Sequence, residues 1–426
     1  MIFKLFLLCS FVLLARPQDL LTFLQPMRPA LVLTVLAMAA LVFGGHRREL
    51  AAALSTAEAK RYLLFFALMI LGVPFAYHRG LAFEGVLLHY AVNVFFFVLV
   101  VSQVTSLPRL RSFIWVICLS TMMYSLFGGL LQTDSFGGGR FQVMGGTFDA
   151  NDTAYVLLSL FPLCLYFVQF DAGLVKKLVA IAATCGAVAT ILLTGSRGGM
   201  VAFGAVLLVL LLTRITGFGI GRKIFLMLLL ASGAFLMKDK INVERYMTLS
   251  DLSSDYNVTE EGGRTTLWND ALELSVAHPV TGVGVYCFAT ANDRAKRLAG
   301  ESYRRWHEVH NSYLQVAAEV GLIGFAVYML IYLRSLRTFL RLRRPRPQSP
   351  ESVEVGVLSW LMLLGFTGLM ISGFFLSQGY SIFSTLYFAL AASLERLQSQ
   401  PSAAIEPSHP PLGGTEQYRG GGMPAG

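Results

Sequence analysis

The sequence predicts an all-α, polytopic integral membrane protein of about twelve spanning helices, with one large polar loop between late spans. Three observations predict it. Of the 426 residues, 55% are hydrophobic and only 14% charged, whereas a soluble domain carries roughly 25% charged residues. The apolar residues fall in repeated runs of about 17–23, the length a helix needs to cross a ~30 Å hydrocarbon layer. The runs are continuous, not alternating, and only helices or closed barrels satisfy their backbone polar groups in lipid, so helices are expected.

The expected spans lie near 2–15, 28–44, 61–77, 84–104, 111–131, 152–170, 174–193, 198–213, 222–237, 312–333, 353–375 and 379–395. The first is short, with one Lys4 ahead of an apolar run to Leu14. A cleaved signal peptide is disfavoured, because Ala15-Arg16-Pro17 is a poor cleavage site and further spans follow. With the N-terminus cytoplasmic, every second connection is rich in basic residues. These carry Arg47, Arg48, Lys60 and Arg61, then Arg109 and Arg111, then Lys176 and Lys177, then Arg214, Arg222 and Lys223, and finally a cluster from Arg334 to Arg346. The short connections on the other side carry only Arg16, Arg28, Arg79, Arg140 and Arg197. This is the asymmetry that orients membrane proteins. It accounts for the net charge of +9 without nucleic-acid binding.

Two polar segments fall on the non-cytoplasmic side: the glycine-rich 132–151 and the loop from Lys238 to about Val309. The loop holds nine basic against eleven acidic residues, so an anion site there must rest on particular arginines. Residues 264–277 read as an amphipathic helix, with Leu267, Ala271, Leu274 and Ala277 on one face. His278-Pro279 ends it, and Thr281–Gly284 reads as a turn. The chain thus divides into a membrane domain over 1–397, including the loop at 238–311, and a tail over 398–426 too poor in aliphatic residues to bury a core. Of five cysteines only Cys287 lies in the large loop, so no loop disulfide is expected. No Cys/His group has zinc spacing, and neither metal nor cofactor is expected.

Several residues are candidates for chemistry. In Thr194-Gly-Ser-Arg-Gly-Gly199, Arg197 stands where a helix begins. Free N–H groups and the positive dipole end favour an anion there, and a guanidinium adds a clamp; a turn with a snorkelling arginine is the plainer alternative. Arg264 also opens a helix, with a solvated surface arginine as its alternative. His310 precedes a spanning helix with Asn311 or Ser312 as N-cap, where the dipole disfavours imidazolium and leaves the ring a base; an interfacial capping histidine is the alternative. Glu319 is an intramembrane carboxylate, costly and so a supporting candidate, unless it only pairs with an arginine for packing. Arg140 lies in the glycine-rich segment, within plausible reach of a phosphate. Glu84, His89 and Asn93 read as polar packing, and Asp149, Asn151 and Asp152 as N-caps.

The T-G-S-R-G-G turn, the R-T-T-L-W…H-P-V-T-G-V-G stretch at 264–284 and H-N-S-Y-L-Q…E-V-G-L-I-G at 310–324 occur in this order. Together they resemble the O-antigen ligase and O-antigen polymerase superfamily of bacterial membrane glycosyltransferases, most sharply over 190–325. The resemblance implies a metal-independent, inverting enzyme. It would move a glycan from a polyprenyl-diphosphate carrier to an acceptor hydroxyl on the periplasmic face of the bacterial inner membrane. By the same resemblance, Arg197 and Arg264 hold the diphosphate and His310 is the base. Ligase and polymerase share these motifs and differ in acceptor: lipid or protein for a ligase, another lipid-linked glycan for a polymerase. The competing class is a lipid-linked glycan flippase or transporter. It explains the span count but not the arginine and histidine motifs, and its paired broken helices and inverted repeats are not legible here.

The charge asymmetry makes both termini and the Arg334–Arg346 loop cytoplasmic. In a cysteine-free background, an impermeant thiol reagent applied to intact cells should label Ser253→Cys and not Ser349→Cys; the reverse pattern overturns the topology.

Overall fold

A computed structural model describes residues 1–129, 149–170, 173–213, 263–300, 307–344 and 349–399, with a few scattered positions between 219 and 246. The described regular structure is helical throughout. Among the described residues, six helices are long and apolar enough to cross a membrane: Phe23–Phe43, Arg79–Gln103, Ala150–Gln169, Leu174–Leu193, Ser312–Leu342 and Pro350–Gly373. Ile2–Ala15 and Arg197–Leu212 are shorter apolar helices. The helices Ala57–Gly72, Leu107–Gly129 and Ile382–Ser399 stand where three more spans are expected. Most of the expected span at 222–237, together with Arg140 and the tail beyond Ser399, lies outside the described residues.

Ile382–Ser399 runs through the middle of the bundle, with every residue from Phe383 to Leu394 buried. Hydroxyl contacts fix it there: Tyr62 with Thr385 at 2.7 Å, Tyr332 with Ser384 at 2.9 Å, and Tyr387 donating to the Ser159 carbonyl at 2.5 Å. Such pairing is what makes buried tyrosines affordable in an apolar interior. The outer helices instead expose large apolar side chains, among them Val35, Leu71, Val175, Leu211 and Leu333. An apolar surface this extensive is stable against lipid, not water. At one end of Pro350–Gly373, Arg111 forms a two-pronged pair with Glu354, Nε to Oε1 at 2.6 Å, and Tyr166 donates to the same carboxylate at 2.6 Å. At its other end lie the polar connections described below.

The loop helix Arg264–Ala277 has the expected bounds. Leu267, Ala271 and Leu274 are buried as the apolar spacing predicts, but Ala277 is exposed, because the chain leaves the helix at His278. With Val283, Cys287, Phe288, Ala291 and Val309 this face forms a small core of its own, seated on Ala76, Ala82 and Ala318 of the membrane helices. A second loop helix, Phe288–Leu298, is joined to the first through Asp270, which accepts from Asn292 at 3.0 Å and pairs with Lys296 at 3.0 Å.

The loop is keyed into a broken membrane helix. Within Ser312–Leu342, Gly321 has φ +80° and the helix kinks; the continuous apolar run hides this break. In an unbroken helix Leu322 N–H would bond to the Ala318 carbonyl. Instead Leu322 N–H donates to the Pro279 carbonyl at 2.8 Å, while the carbonyls of Ala318 and Glu319 accept from Val283 and Gly284 N–H at 2.9 and 3.0 Å. The turn Pro279–Gly284 thus supplies the hydrogen bonds that the helix loses, as non-helical backbone at membrane depth requires. The approach is close enough to exclude side chains. A Cβ at Gly282 would lie 2.4 Å from the Glu319 carbonyl, and one at Gly321 would lie 2.8 Å from that of Val280.

Gly321→Ala and Gly282→Ala should each destabilise by roughly 1–3 kcal/mol, the cost of a side chain forced into a left-handed backbone before any steric overlap is counted. Gly204→Ala, with open space around it, should not lower the thermal midpoint of the purified protein. Equal midpoints for all three variants would remove the keying role.

Candidate functional site

The motif at 310–315 is built around one backbone corner. His310 has φ +53°, a left-handed conformation uncommon for a residue with a side chain. Its N–H donates to Ser377 Oγ at 2.8 Å. Asn311, not Ser312, is the N-cap: its Oδ1 accepts from the N–H of Tyr313 at 3.0 Å and of Leu314 at 3.1 Å. Ser312 Oγ donates to the Leu376 carbonyl at 2.7 Å and accepts from Gln378 N–H at 3.0 Å, and Gln315 Oε1 accepts from Gly379 N–H at 3.1 Å. So the connection between the last two helices is bonded to the start of the Ser312–Leu342 helix, and the corner that presents His310 cannot relax without breaking these bonds.

Across from it, Asp149 caps Ala150–Gln169 in a reciprocal capping box with Asp152. Asp152 Oδ1 also accepts from Gln378 Nε2 at 2.9 Å. Asp149, Asp152, Glu308, His310 and Gln378 share the wall of a cavity of about 910 Å³ with Arg16 and Arg28. A smaller cavity of about 470 Å³ adjoins it, with Glu84, His89, Tyr286 and Glu308 common to both. The connections assigned to one side by the charge asymmetry therefore converge on one place in the fold.

Arg197 is the first residue of Arg197–Leu212, with Ser196 as N-cap accepting from Gly199 N–H. The two following glycines let this helix start pack closely on its neighbours: a Cβ at Gly198 would be 2.8 Å from Phe375 Cβ, and one at Gly199 would be 2.8 Å from Ala154 Cβ; Arg197 itself is not among the residues that line the large cavity. Phe375 and Ala154 each stand two residues from a lining residue, Ser377 and Asp152 respectively. Arg264 is the first residue of its helix, half-buried, and within electrostatic range of His310. Burial first, and then the Arg264 guanidinium, push the His310 imidazole down to about 4, opposed by the Asp149 carboxylate. The ring is neutral at pH 7 as the sequence suggests, but desolvation is the main cause.

Glu319 has a different place from the one an arginine partner would imply. Its carboxylate accepts from the backbone N–H of Tyr286 at 3.0 Å and of Phe288 at 3.2 Å, so it anchors the loop beneath the smaller cavity. Asn93 donates to the Tyr380 carbonyl at 2.8 Å, the packing role expected, whereas Glu84 and His89 sit 3.7 Å apart with mostly exposed side chains. Sequence reasoning passes over Arg16, Arg28, Ser377 and Gln378. The signals are two Arg-Pro dipeptides and a polar Ser-Gln-Gly between apolar runs.

Residues 179–329 match the family model described as O-antigen ligase. That interval contains Arg197, Arg264, His310 and Glu319. Over this stretch the chain is similar to the O-antigen ligase family. It is also similar to the "Exopolysaccharide production protein ExoQ" of Rhizobium meliloti (strain 1021), 28% identical over 109 residues, which is 24% of this chain. The aligned part spans 25% of that protein's length.

A ring held neutral by burial keeps its nucleophilic nitrogen far below the ordinary imidazole range. Diethyl pyrocarbonate acylation of His310, followed by peptide mass spectrometry across pH, should lose half its rate near pH 4. A midpoint near 6.5, the value of an unperturbed histidine, would show that the site is open to water and Arg264 remote.

Proposed function

We propose that this protein is a membrane glycosyltransferase of the O-antigen ligase type, which moves a glycan from a polyprenyl-diphosphate carrier to an acceptor hydroxyl without a metal. The observation that carries this reading is His310, fixed in a left-handed corner on the wall of the large cavity with Arg264 in electrostatic range. The acceptor oxygen attacks the anomeric carbon as its bond to the diphosphate breaks. The acceptor proton passes to the His310 imidazole, and the bonding pair leaves on the diphosphate, so configuration inverts. Arg197 and Arg264 neutralise the leaving charge, and Asn311 positions the base by capping the helix that follows it. Arg140 belongs to the same reading as a further phosphate contact.

Electrostatics supports this division of labour. An imidazole with a pKa near 4 is a weak base, and a base works best near its operating pH. A diphosphate bound beside Arg264 offsets the part of this depression that the guanidinium adds to burial, so donor binding itself raises the basicity of His310 before transfer. In this reading the chain crosses the bacterial inner membrane about twelve times with both termini cytoplasmic and the loop 238–311 periplasmic. The likeness to an exopolysaccharide production protein favours a second lipid-linked glycan as acceptor, which is polymerase chemistry; a lipid or protein acceptor is ligase chemistry.

Transfer by the reconstituted protein from a purified polyprenyl-diphosphate glycan tests the assignment. His310→Gln and His310→Asn should fold and lose ~10²–10⁴-fold in rate, because neither amide takes a proton in this range. Arg197→Lys and Arg264→Lys should also be impaired, since a point charge does not reproduce the two-pronged grip of a guanidinium. Full activity of either His310 variant removes the base; full activity of both lysine variants removes the clamp.

A further inference from the structure

The large cavity has two chemically different parts. One holds His310 and its acidic neighbours. The other is edged by the ends of the first two apolar helices and floored partly by later helices, and it pairs an apolar floor with two arginines. Leu13, Leu31, Leu88, Val92, Ile382 and Phe383 supply the floor, and Arg16 and Arg28 stand at its edge. Both arginines mark ends of apolar helices: Arg16 follows Ile2–Ala15 and Arg28 precedes Pro29–Phe43. Both immediately precede a proline, and both have left-handed backbone, φ +49° and +45°. A proline normally holds the residue before it in extended conformation. The same unusual corner thus occurs twice and delivers two guanidiniums to the wall of one cavity.

The two are not equivalent. Arg16 pairs with Asp19, Nε to Oδ2 at 2.5 Å, so part of its charge is already neutralised. Arg28 is exposed, and among the described residues its side chain makes no hydrogen bond or ion pair. The helix that carries it is peripheral, with only 17% of its apolar window buried, so this side of the cavity borders lipid. The turn before it exposes Phe23 and Met27, apolar side chains suited to the interfacial layer. A cationic edge over an apolar floor, reached from the bilayer, matches one chemistry: a phosphorylated head group on a long hydrocarbon chain.

We infer that Arg28, assisted by Arg16, grips the diphosphate of the lipid carrier as it enters from the bilayer, with the proximal isoprenoid units lying on the apolar floor. This rests on the carrier-dependent reaction proposed above and adds to it an entry subsite edged by the ends of the first two apolar helices. The same chemistry would also suit an anionic phospholipid head group, so the test must separate the two.

Binding of undecaprenyl diphosphate is measured on the full chain in nanodiscs of phosphatidylcholine alone and of phosphatidylcholine with phosphatidylglycerol. Arg28→Gln and the double variant Arg16→Gln/Arg28→Gln are compared with wild type, and inorganic pyrophosphate is the head group without the chain. Removing one charge-assisted contact should weaken undecaprenyl diphosphate about tenfold or more in phosphatidylcholine. Pyrophosphate should bind far more weakly than the lipid to wild type, because it leaves the floor empty. If the double variant does not fold, the exposed Arg28→Gln alone decides. Equal affinity of Arg28→Gln and wild type overturns the inference and leaves the transferase reading intact. An Arg28 effect seen only with phosphatidylglycerol present overturns it in favour of a phospholipid anchor. A wild-type protein that binds no undecaprenyl diphosphate sinks both readings. One that binds it through Arg28 but transfers no glycan sinks only the transferase.

Discussion

Breaking a helix inside a membrane strands carbonyls and N–H groups where no water can reach them, and each stranded group costs several kcal/mol. The break at Gly321 is possible because the turn Pro279–Gly284 bonds to Leu322 N–H and to the Ala318 and Glu319 carbonyls. That exchange fixes where the polar loop sits. Glu319, two residues before the break, adds its carboxylate to the N–H groups of Tyr286 and Phe288, so the turn is held on both sides. The loop helix that begins at Arg264 follows from this anchorage, as does the range at which its guanidinium acts on His310. Without the exchange, Arg264 would be one more solvated arginine.

A second constraint works from the other end of the bundle's polar face. The corner at His310 is strained, and strain persists only where surrounding bonds over-determine it. Ser377, Ser312, Gln315 and Gln378 supply those bonds, tying three connections of the chain into one assembly. The His310 ring and its neighbours are thereby held in fixed relation. The chemistry proposed for the site needs little from the protein beyond this, because diphosphate is already a good leaving group and the remaining task is placement of charge.

Much of this was legible in advance, and the reasons are local. A helix start written as Gly-Gly-Arg with apolar residues at helical spacing is read correctly to the residue over 264–277. The starts near Arg197 and Ser312 follow from glycines at the one and a capping asparagine or serine at the other, ahead of apolar runs. The glycines of Thr281–Gly284 and Gly321 are visible as letters, but their mutual contact is not, since each looks like an ordinary turn or a tolerated helix glycine. Glu319 shows the same limit. A carboxylate in an apolar run announces that it has a partner, and its partners turn out to be backbone N–H groups, which leave no trace in side-chain identity. Arg16 and Arg28 were passed over as sparse interfacial charges, because a cavity between distant helices has no sequence pattern.

By itself the sequence determined the helical membrane class, the positions of most helices, which connections are basic, and the three motifs by which residues 190–325 resemble O-antigen ligases, a likeness that the family match over 179–329 shares. These properties depend on composition and short-range periodicity, which the chain carries whatever its folded shape. The tertiary structure alone decided which connections meet. It put His310 and Asp149 on one cavity wall with Arg264 in electrostatic range, gave Glu319 backbone N–H partners in the loop, and brought Arg16 and Arg28 to the same wall. Those outcomes depend on contacts between residues up to hundreds of positions apart, and such contacts are set by which buried groups must find hydrogen-bond partners, not by any local run of residues.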